Sequence, residues 1–322
     1  MEYNSEPRKI IKFGNSSYII SLPKQWIRDN KLKKGDIVFL TKNSEQDITL
    51  SPKEKKQEIE SKKMIIEINK MSPNEIQKRI GSAYINNYSE IILKGGINKS
   101  VISNVLKNAE RIGLEVVEQS PTEVIIKDFL NMEELSIKTT MRRMDNTLRA
   151  MFEDLKEGLQ KKTFGKLISK EMMDSDQRVN KMYFLIWKVS KKGEEWPSIL
   201  SKIGMSHSEL SDTRWIALHL EFIGDEIKRT ARILESLSLD DEERKGFLGL
   251  IEDLEKNYIK SVTSYHQHDV NLAIEANLEK EELIKRCEKF IEKIKTKKAV
   301  FIIEKLKTIV ISSNYISKTV AY

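Results

Sequence analysis

The sequence is poor in the residues that build disulfide frameworks and zinc sites. It has one cysteine, Cys287, and four histidines among 322 residues. A single cysteine cannot form an intramolecular disulfide, and so few thiols and imidazoles exclude a cysteine-rich zinc framework. Carboxylates are therefore the only plentiful metal ligands. A reducing, cytoplasmic location is the expectation.

Long apolar runs are missing as well. No stretch of about 18 apolar residues is present, so no segment is expected to span a bilayer. The opening MEYNSEPRK lacks the apolar core of a secretory signal. We also find no serine or cysteine nucleophile with a matching histidine base, which argues against an enzyme. The sequence thus predicts a non-enzymatic protein that does not insert into membranes.

Positive charge is present in excess, and it is concentrated at the start of the chain. The formal net charge is +7, and residues 1–34 hold eight basic residues against three acidic ones. Such clustering indicates a phosphate-binding surface. A solvated basic face would give the same charge pattern, so charge alone leaves both interpretations open.

Composition changes along the chain predict a mainly α, multi-domain protein. At 322 residues the chain is too long for one ordinary core. A β-rich domain is predicted for 1–54, and a charged linker at 51–63 separates it from a small α/β domain at 62–128. Glycine and proline become scarce in the helical domain, predicted for 130–322. Apolar periodicity there predicts six helices, near 131–160, 165–191, 206–238, 240–266, 269–295 and 297–321.

The sequence of the β-rich domain predicts a tight hairpin, a short helix and a second pair of strands. Strands are predicted at 9–13 and 17–21 around the turn Gly14-Asn15-Ser16, followed by a helix in LPKQWIRDN. Lys34-Gly35-Asp36 ends the helix, and DIVFLTK and DITLSP read as two more strands around a turn at 43–46. About fifty residues bury too small a core to stand alone, so a second copy is the expected partner.

This order of elements over residues 7–52, with KFGNS, LP and KKGD at the family's spacing, resembles the AbrB/MazE/SpoVT swapped-hairpin DNA-binding domain. The resemblance implies an obligate homodimer with interleaved hairpins that presents basic loops to DNA. Carried over by position, it implies DNA contacts from six residues: Arg8, Lys9, Lys12 and Asn15, with Lys24 and Arg28 as flanking phosphate contacts. A role for Asn15 in shaping the turn alone is the alternative. Trp26 is expected in the core.

The middle region alternates strand and helix but shows no nucleotide-binding signature. Its first strand is followed by INKMSPNE, which lacks the glycines and the Lys-Ser/Thr pair of a phosphate loop. We therefore expect a spacer or dimerisation domain at 62–128.

The helical region carries two pairs of polar residues that could bind a metal. Asp176 and Asn180 lie four positions apart, as do Glu221 and Asp225, so each pair shares one helix face. On facing helices these oxygens could hold iron, zinc, magnesium or manganese. Acidic pairs on a solvated face are the common alternative. Gly224, inside the same helix, hints at a close helix approach.

DQRVNKM at 176–182 and HLEFIGDEI at 219–227 resemble the PhoU helical domain of phosphate-uptake regulators, over about residues 130–322. The resemblance implies two repeated three-helix bundles, whose acidic motifs hold metal clusters in some members. The second repeat departs from the pattern, since Val310 and Asn314 stand opposite Glu221 and Asp225. A divalent or iron/zinc metal is therefore expected, if at all, in the first helical half.

Together the two resemblances predict a dimeric transcriptional regulator of phosphate uptake. Its PhoU-like body would sense an effector or dock a phosphate transporter ATPase or a sensor kinase. The alternative is a PhoU-type adaptor that inhibits the transporter or the kinase without binding DNA. A metal-dependent hydrolase, the third possibility, rests only on the acidic pairs.

Overall fold

The computed structural model describes residues 6–42, 48–53, 62–96, 99–130, 135–161 and 166–322. The chain divides into two compact units, Met1–Glu60 and Ser61–Tyr322. It is mainly helical with an N-terminal strand region, as the sequence predicts. Within the described residues, no helix is both long and apolar enough to cross a membrane.

The first unit consists of two antiparallel strand pairs with one short helix between them. Its elements are β1 (Ile11–Phe13), β2 (Ser17–Ile19), α1 (Lys24–Asp29), β3 (Phe39–Lys42) and β4 (Ile48–Ser51). β1 pairs with β2, and β3 pairs with β4, in separate two-stranded sheets. The turn predicted at 43–46 and most of the predicted linker lie outside the described residues.

The first hairpin has a three-residue loop because Phe13 pairs with Ser17. Gly14 opens this loop with φ +65°, in the left-handed region that favours glycine. Lys12 pairs with Tyr18 across the strands, so these two side chains share one face of the hairpin. The hairpin therefore fixes the face that carries Lys12, the basic residue of its first strand.

The second unit begins with a four-stranded sheet and two helices. Its elements are β5 (Lys63–Glu67), α2 (Pro73–Ile85), β6 (Glu90–Lys94), α3 (Lys99–Arg111), β7 (Leu114–Gln119) and β8 (Glu123–Asp128). The strand order is β5-β6-β8-β7, with β5 and β6 parallel and the other neighbours antiparallel. α2 starts where it does because Ser72 and Glu75 form a capping box and Pro73 occupies the first turn. A first hydrophobic core fills the space between these helices and the sheet.

The rest of the second unit is helical. It contains α4 (Ile137–Lys161), α5 (Lys166–Glu195), α6 (Pro197–Ile203), α7 (His207–Glu235), α8 (Asp241–Gln267), α9 (Val270–Ile291) and α10 (Val300–Ala321). The short α6 lies where the sequence predicts only a break. Proline is compatible with the first helical position, where Pro197 stands, so its presence did not prevent a helix.

The six long helices pack in two groups of three. α4, α5 and α7 contact one another, as do α8, α9 and α10, while α7–α10 and α4–α8 contacts join the groups. Together they enclose a second core, which includes Leu148, Phe152 and Tyr258. At Gly224 a Cβ atom would lie 3.1 Å from Leu148 Cδ2. This confirms the close helix approach that the glycine suggests.

A buried ion pair joins the sheet to the helices. The ammonium group of Lys188 on α5 donates a hydrogen bond to Asp128 Oδ2 at the end of β8. Lys188 is only 2 % exposed and lies over the ring of Tyr84, 4.2 Å from its centroid. Burial lowers the pKa of Lys188, and the Asp128 carboxylate opposes that shift. Asp128 also accepts from the backbone N–H of Leu130 at 3.1 Å.

Two glycines three residues apart on α8 should respond in opposite ways to alanine. A Cβ atom at Gly246 would collide with the ring of Phe290, which packs edge-on against Phe247, whereas nothing lies within 4 Å of a Cβ at Gly249. Gly246→Ala should therefore lower the free energy of unfolding by about 1–3 kcal/mol. Gly249→Ala should raise it by about 0.5–1 kcal/mol, because helical alanine loses less entropy. Urea unfolding of the two variants checks both signs; stabilisation by both would contradict this packing.

Candidate nucleic-acid interface

The basic residues of the first hairpin are all exposed to solvent. Lys9 precedes β1 and Lys12 lies within it, and neither forms an ion pair with another described residue. Arg8, just before them, pairs with Glu6 through its guanidinium group. Lysines that no carboxylate neutralises are free to neutralise phosphates. The hairpin thus presents cationic side chains suited to a polyanion.

The remaining predicted contacts lie on α1. Lys24 and Arg28 are exposed and stand four positions apart on one face of the helix. Trp26, expected in the core, is only half-buried. None of the residues of α1 is fully buried in a single chain. Its backbone carbonyl accepts hydrogen bonds from the backbone and the side chain of Asn30. No residue of α1 is therefore part of a buried core in a single chain.

Asn15 occupies the middle of the hairpin loop. It is exposed, and its φ is not positive, since the left-handed residue of the loop is Gly14. No side-chain hydrogen bond joins Asn15 to another described residue. Neither the turn role nor the DNA role of Asn15 is tested by these observations, and both remain predictions.

Large apolar side chains on the first unit are exposed. Nine of them are on the surface: Ile10, Ile11, Phe13, Tyr18, Ile19, Ile20, Ile37, Leu40 and Ile48. Among the described residues of this unit the only buried side chain is that of Ser51. Apolar exposure on this scale marks an interaction surface. A single copy of the unit therefore leaves its apolar side chains without a core.

A comparison with protein families finds a match for most of this unit. Residues 11–58 match the model of the family described as antidote-toxin recognition MazE, bacterial antitoxin. The N-terminal segment is therefore similar to MazE/AbrB-type, antitoxin-like domains. The match covers a small part of the 322 residues. No curated protein and no solved structure matches the chain.

The antitoxin-like domain accounts for both surface features of the first unit. MazE/AbrB-type domains bind DNA and form dimers, and the domain fits a DNA-binding regulator. Dimer formation would cover apolar side chains, while the basic residues would meet phosphates. The hairpin and α1 place Lys12, Lys24 and Arg28 within the matched residues, while Arg8 and Lys9 lie just before them; the DNA contacts of all five remain predictions.

The predicted metal ligands in the helical region lie on α5 and α7, which face each other. The ammonium group of Lys228 stands between two of them, with Nζ 2.8 Å from Asp176 Oδ2 and 2.6 Å from Asp225 Oδ1. Asn180 donates to Asp176 Oδ2 at 3.2 Å, and Arg229 donates to Asp225 Oδ2 at 2.8 Å. Lys228 thus joins one predicted ligand from each helix, Asp176 and Asp225.

The charges in this cluster shift several pKa values. Burial raises the pKa of Glu221 to about 7, assisted by the neighbouring carboxylates of Asp225 and Asp176. Burial also raises the pKa of Asp176, against the hydrogen bond from Lys228. Burial alone would lower the pKa of Lys228. The hydrogen bonds to Asp176 and Asp225 outweigh this effect, so the pKa of Lys228 is raised.

Two of the predicted metal ligands, Asp176 and Asp225, are engaged by Lys228. Among the described residues, no group of three or more histidine, cysteine, aspartate or glutamate side chains could hold a metal ion. Lys228 supplies the positive charge that a cation would supply. In the second half, Val310 is buried and Asn314 hydrogen-bonds to Asn277. The metal prediction for the first helical half therefore stays a prediction, to be tested by elemental analysis.

The sequence does not single out Lys228, because an ammonium group is not a metal ligand. The signal for its role is its position three residues after Asp225, where a helix places both side chains on the same face.

Cys287 is buried, and burial raises the pKa of its thiol to about 11. That thiol is therefore a core side chain and not a nucleophile at neutral pH.

Replacing Glu221 should change how stability depends on pH. Its folded-state pKa lies above the ordinary value of 4.5, so the folded state favours the protonated carboxyl. The associated stability is complete below pH 4.5 and is lost as pH rises through about 7. Glu221→Gln should abolish this loss and be more stable than wild type by about 2 kcal/mol near pH 8, after allowing for solvent screening.

The comparison requires thermal or urea unfolding of both proteins from about pH 5 to about pH 8. Glu282→Gln, on an exposed part of α9, serves as the control and should leave the pH dependence unchanged. If the stabilities of the wild type and of Glu221→Gln changed in the same way with pH over this range, the pKa of Glu221 would not be raised in the folded state.

Proposed function

We propose that the protein is a homodimeric, DNA-binding regulator of transcription. The observation that carries the proposal is the surface of the antitoxin-like domain, where exposed lysines and arginines adjoin apolar side chains that a single chain leaves uncovered. Residues 1–54 are the DNA-binding domain in this proposal. Residues 62–128 act as spacer or dimerisation domain, and residues 130–322 form the regulatory body.

DNA recognition is proposed to depend mainly on phosphate contacts. Arg8, Lys9 and Lys12 would contact the backbone near the hairpin, with Lys24 and Arg28 on flanking phosphates. Asn15, at the tip of the loop, would be the contact best placed to reach a base edge. With few base-reading side chains, the remaining specificity would come from the deformability of the DNA.

The regulated process is proposed to be phosphate uptake. The proposal rests on the resemblance of residues 176–182 and 219–227 to PhoU, and the packing of six long helices in two groups of three supports it. In this proposal the body senses an effector or docks a phosphate transporter ATPase or a sensor kinase.

A PhoU-type adaptor is the second candidate. Here the antitoxin-like domain would serve only as a dimerisation clasp, and the helices would inhibit a transporter or a kinase without DNA. The exposed apolar side chains are compatible with a clasp, but the exposed hairpin lysines have no role in it.

A gel-shift titration of the full chain separates the two candidates. The probes are labelled duplexes drawn from genomic DNA, with an excess of unlabelled heteropolymer as competitor. Retarded complexes that survive the competitor support the regulator. Complete absence of retardation, even at low salt where phosphate contacts are strongest, would favour the adaptor.

A further inference from the structure

A groove opens between the α/β part and the helical part of the second unit. It lies between α2 and α5 and has a volume of about 790 Å³. Volumes of this size are typical of small-molecule sites, which are concave, mostly apolar and furnished with a few polar groups. None of the functional residues discussed above lines it.

The two walls of the groove differ in chemistry. α5 contributes the aromatic rings of Phe184 and Trp187, and both are half-buried. α2 contributes a polar and small-residue face, which includes Gln77 and Gly81, because its apolar face packs on the sheet. A Cβ atom at Gly81 would lie 4.0 Å from Phe184 Cε1, at contact distance, so α2 packs closely against the edge of the Phe184 ring at this point.

The aromatic wall is held in place by its neighbours. Tyr183 packs edge-on against Trp187, with ring centroids 5.5 Å apart, and contacts Phe184 at 5.7 Å. Arg214 on α7 lies 5.6 Å from the Trp187 ring centre. On the opposite wall, Gln77 accepts a hydrogen bond from Asn108 at 3.1 Å, which fixes its carboxamide. The groove is therefore largely preformed, which reduces the entropy lost when a ligand binds.

Positive charge faces the groove from both helices. Lys78 lies on α2 and Lys191 on α5, and none of the described residues that line the groove is acidic. Lys78 forms no salt bridge with another described residue, and the carboxylate of Glu75, which accepts hydrogen bonds from Ser72, does not line the groove. Lys191 lies 3.6 Å from Glu194, but that carboxylate also binds Arg214 at 2.7 Å. The local charge is therefore positive.

We propose that this groove binds a planar aromatic anion of small-molecule size. The ring system would pack on Trp187 and on the exposed part of Phe184, and the anionic group would lie between Lys78 and Lys191. This site is independent of the DNA-binding role proposed above, so it is tested without DNA. Since the groove joins α2 to α5, a bound ligand would also bridge the two parts of the second unit.

The test uses two matched probes on the full chain. Anilinonaphthalene sulfonate is an anion with a planar naphthalene ring that fluoresces in apolar sites, and phenylnaphthylamine is its uncharged counterpart. Titrations give the affinity and the number of sites per chain. The expected result is one site that prefers the anionic probe by about tenfold or more. Equal binding of both probes would overturn the anion preference.

Variants locate that site. Gly81→Met fills the groove and replaces a helical glycine with a better helix former, so the protein folds while one equivalent of bound probe is lost. Gly249→Met, where nothing lies within 4 Å of a Cβ, is the matched control and should retain all sites. Lys78→Gln should weaken the anionic probe about tenfold, whereas Arg79→Gln, next to it but outside the groove, should not. Unchanged binding in Gly81→Met would overturn the proposal.

Discussion

Replacing Lys9 and Lys12 with alanine should lower the affinity for duplex DNA by about a thousandfold at physiological salt. A dimer would lose four phosphate contacts, each of which releases a counterion and contributes about 0.9 to the slope of log affinity against log salt. The slope should therefore become shallower by about 3–4. Both lysines are exposed and make no ion pair with another described residue, so folding should be preserved.

Fluorescence anisotropy titrations at several salt concentrations would measure both quantities. Lys297→Ala with Lys298→Ala is the matched control, because it removes the same charge from exposed residues of the helical region. The control should bind with the wild-type slope. Wild-type affinity in the hairpin variant would remove the hairpin from the DNA-binding surface.

The second large effect concerns the buried ion pair between Lys188 and Asp128. Removing one partner leaves the other charge buried without its partner, a change that costs about 3–5 kcal/mol. Lys188→Met and Asp128→Asn should each lower the free energy of unfolding by that amount. The double variant should be less destabilised than the sum of the two, since it leaves no lone charge.

Urea unfolding of the two single variants and the double variant completes a double-mutant cycle. Lys94→Met is a suitable control, because Lys94 pairs with Glu123 on the same sheet but both side chains are well exposed. Breaking an exposed pair should cost less than about 1 kcal/mol. If Lys188→Met lowered the free energy of unfolding no more than Lys94→Met does, the ion pair between Lys188 and Asp128 would not hold the sheet against the helices.

Most elements could be predicted because their signals are local. The capping box at Ser72 and Glu75 is visible in the sequence, and a short apolar run between charged residues marks strands such as β6. The seven-residue α6 is too short to show apolar periodicity, and Pro197 at its start resembles a break. The exposed apolar side chains of the first unit follow from its small size, which the sequence also shows.

Features that combine distant parts of the chain could not be predicted. The groove requires residues of α2 and α5, more than a hundred positions apart, and α2 shows no ligand motif. Lys188 is an ordinary lysine in the sequence, and only packing reveals that it pairs with Asp128. Lys228 likewise gains its meaning from Asp176 on another helix. Such pairings depend on how helices dock, which periodicity does not encode.

Sedimentation velocity of the full chain with a fluorescent duplex measures self-association and DNA binding in one run. The free protein should sediment as a dimer even at the lowest detectable concentration. Labelled DNA should shift to a species containing two chains and one duplex. A monomeric protein, or DNA that sediments at its free rate beside the protein, would show that the protein is not a dimeric DNA-binding regulator.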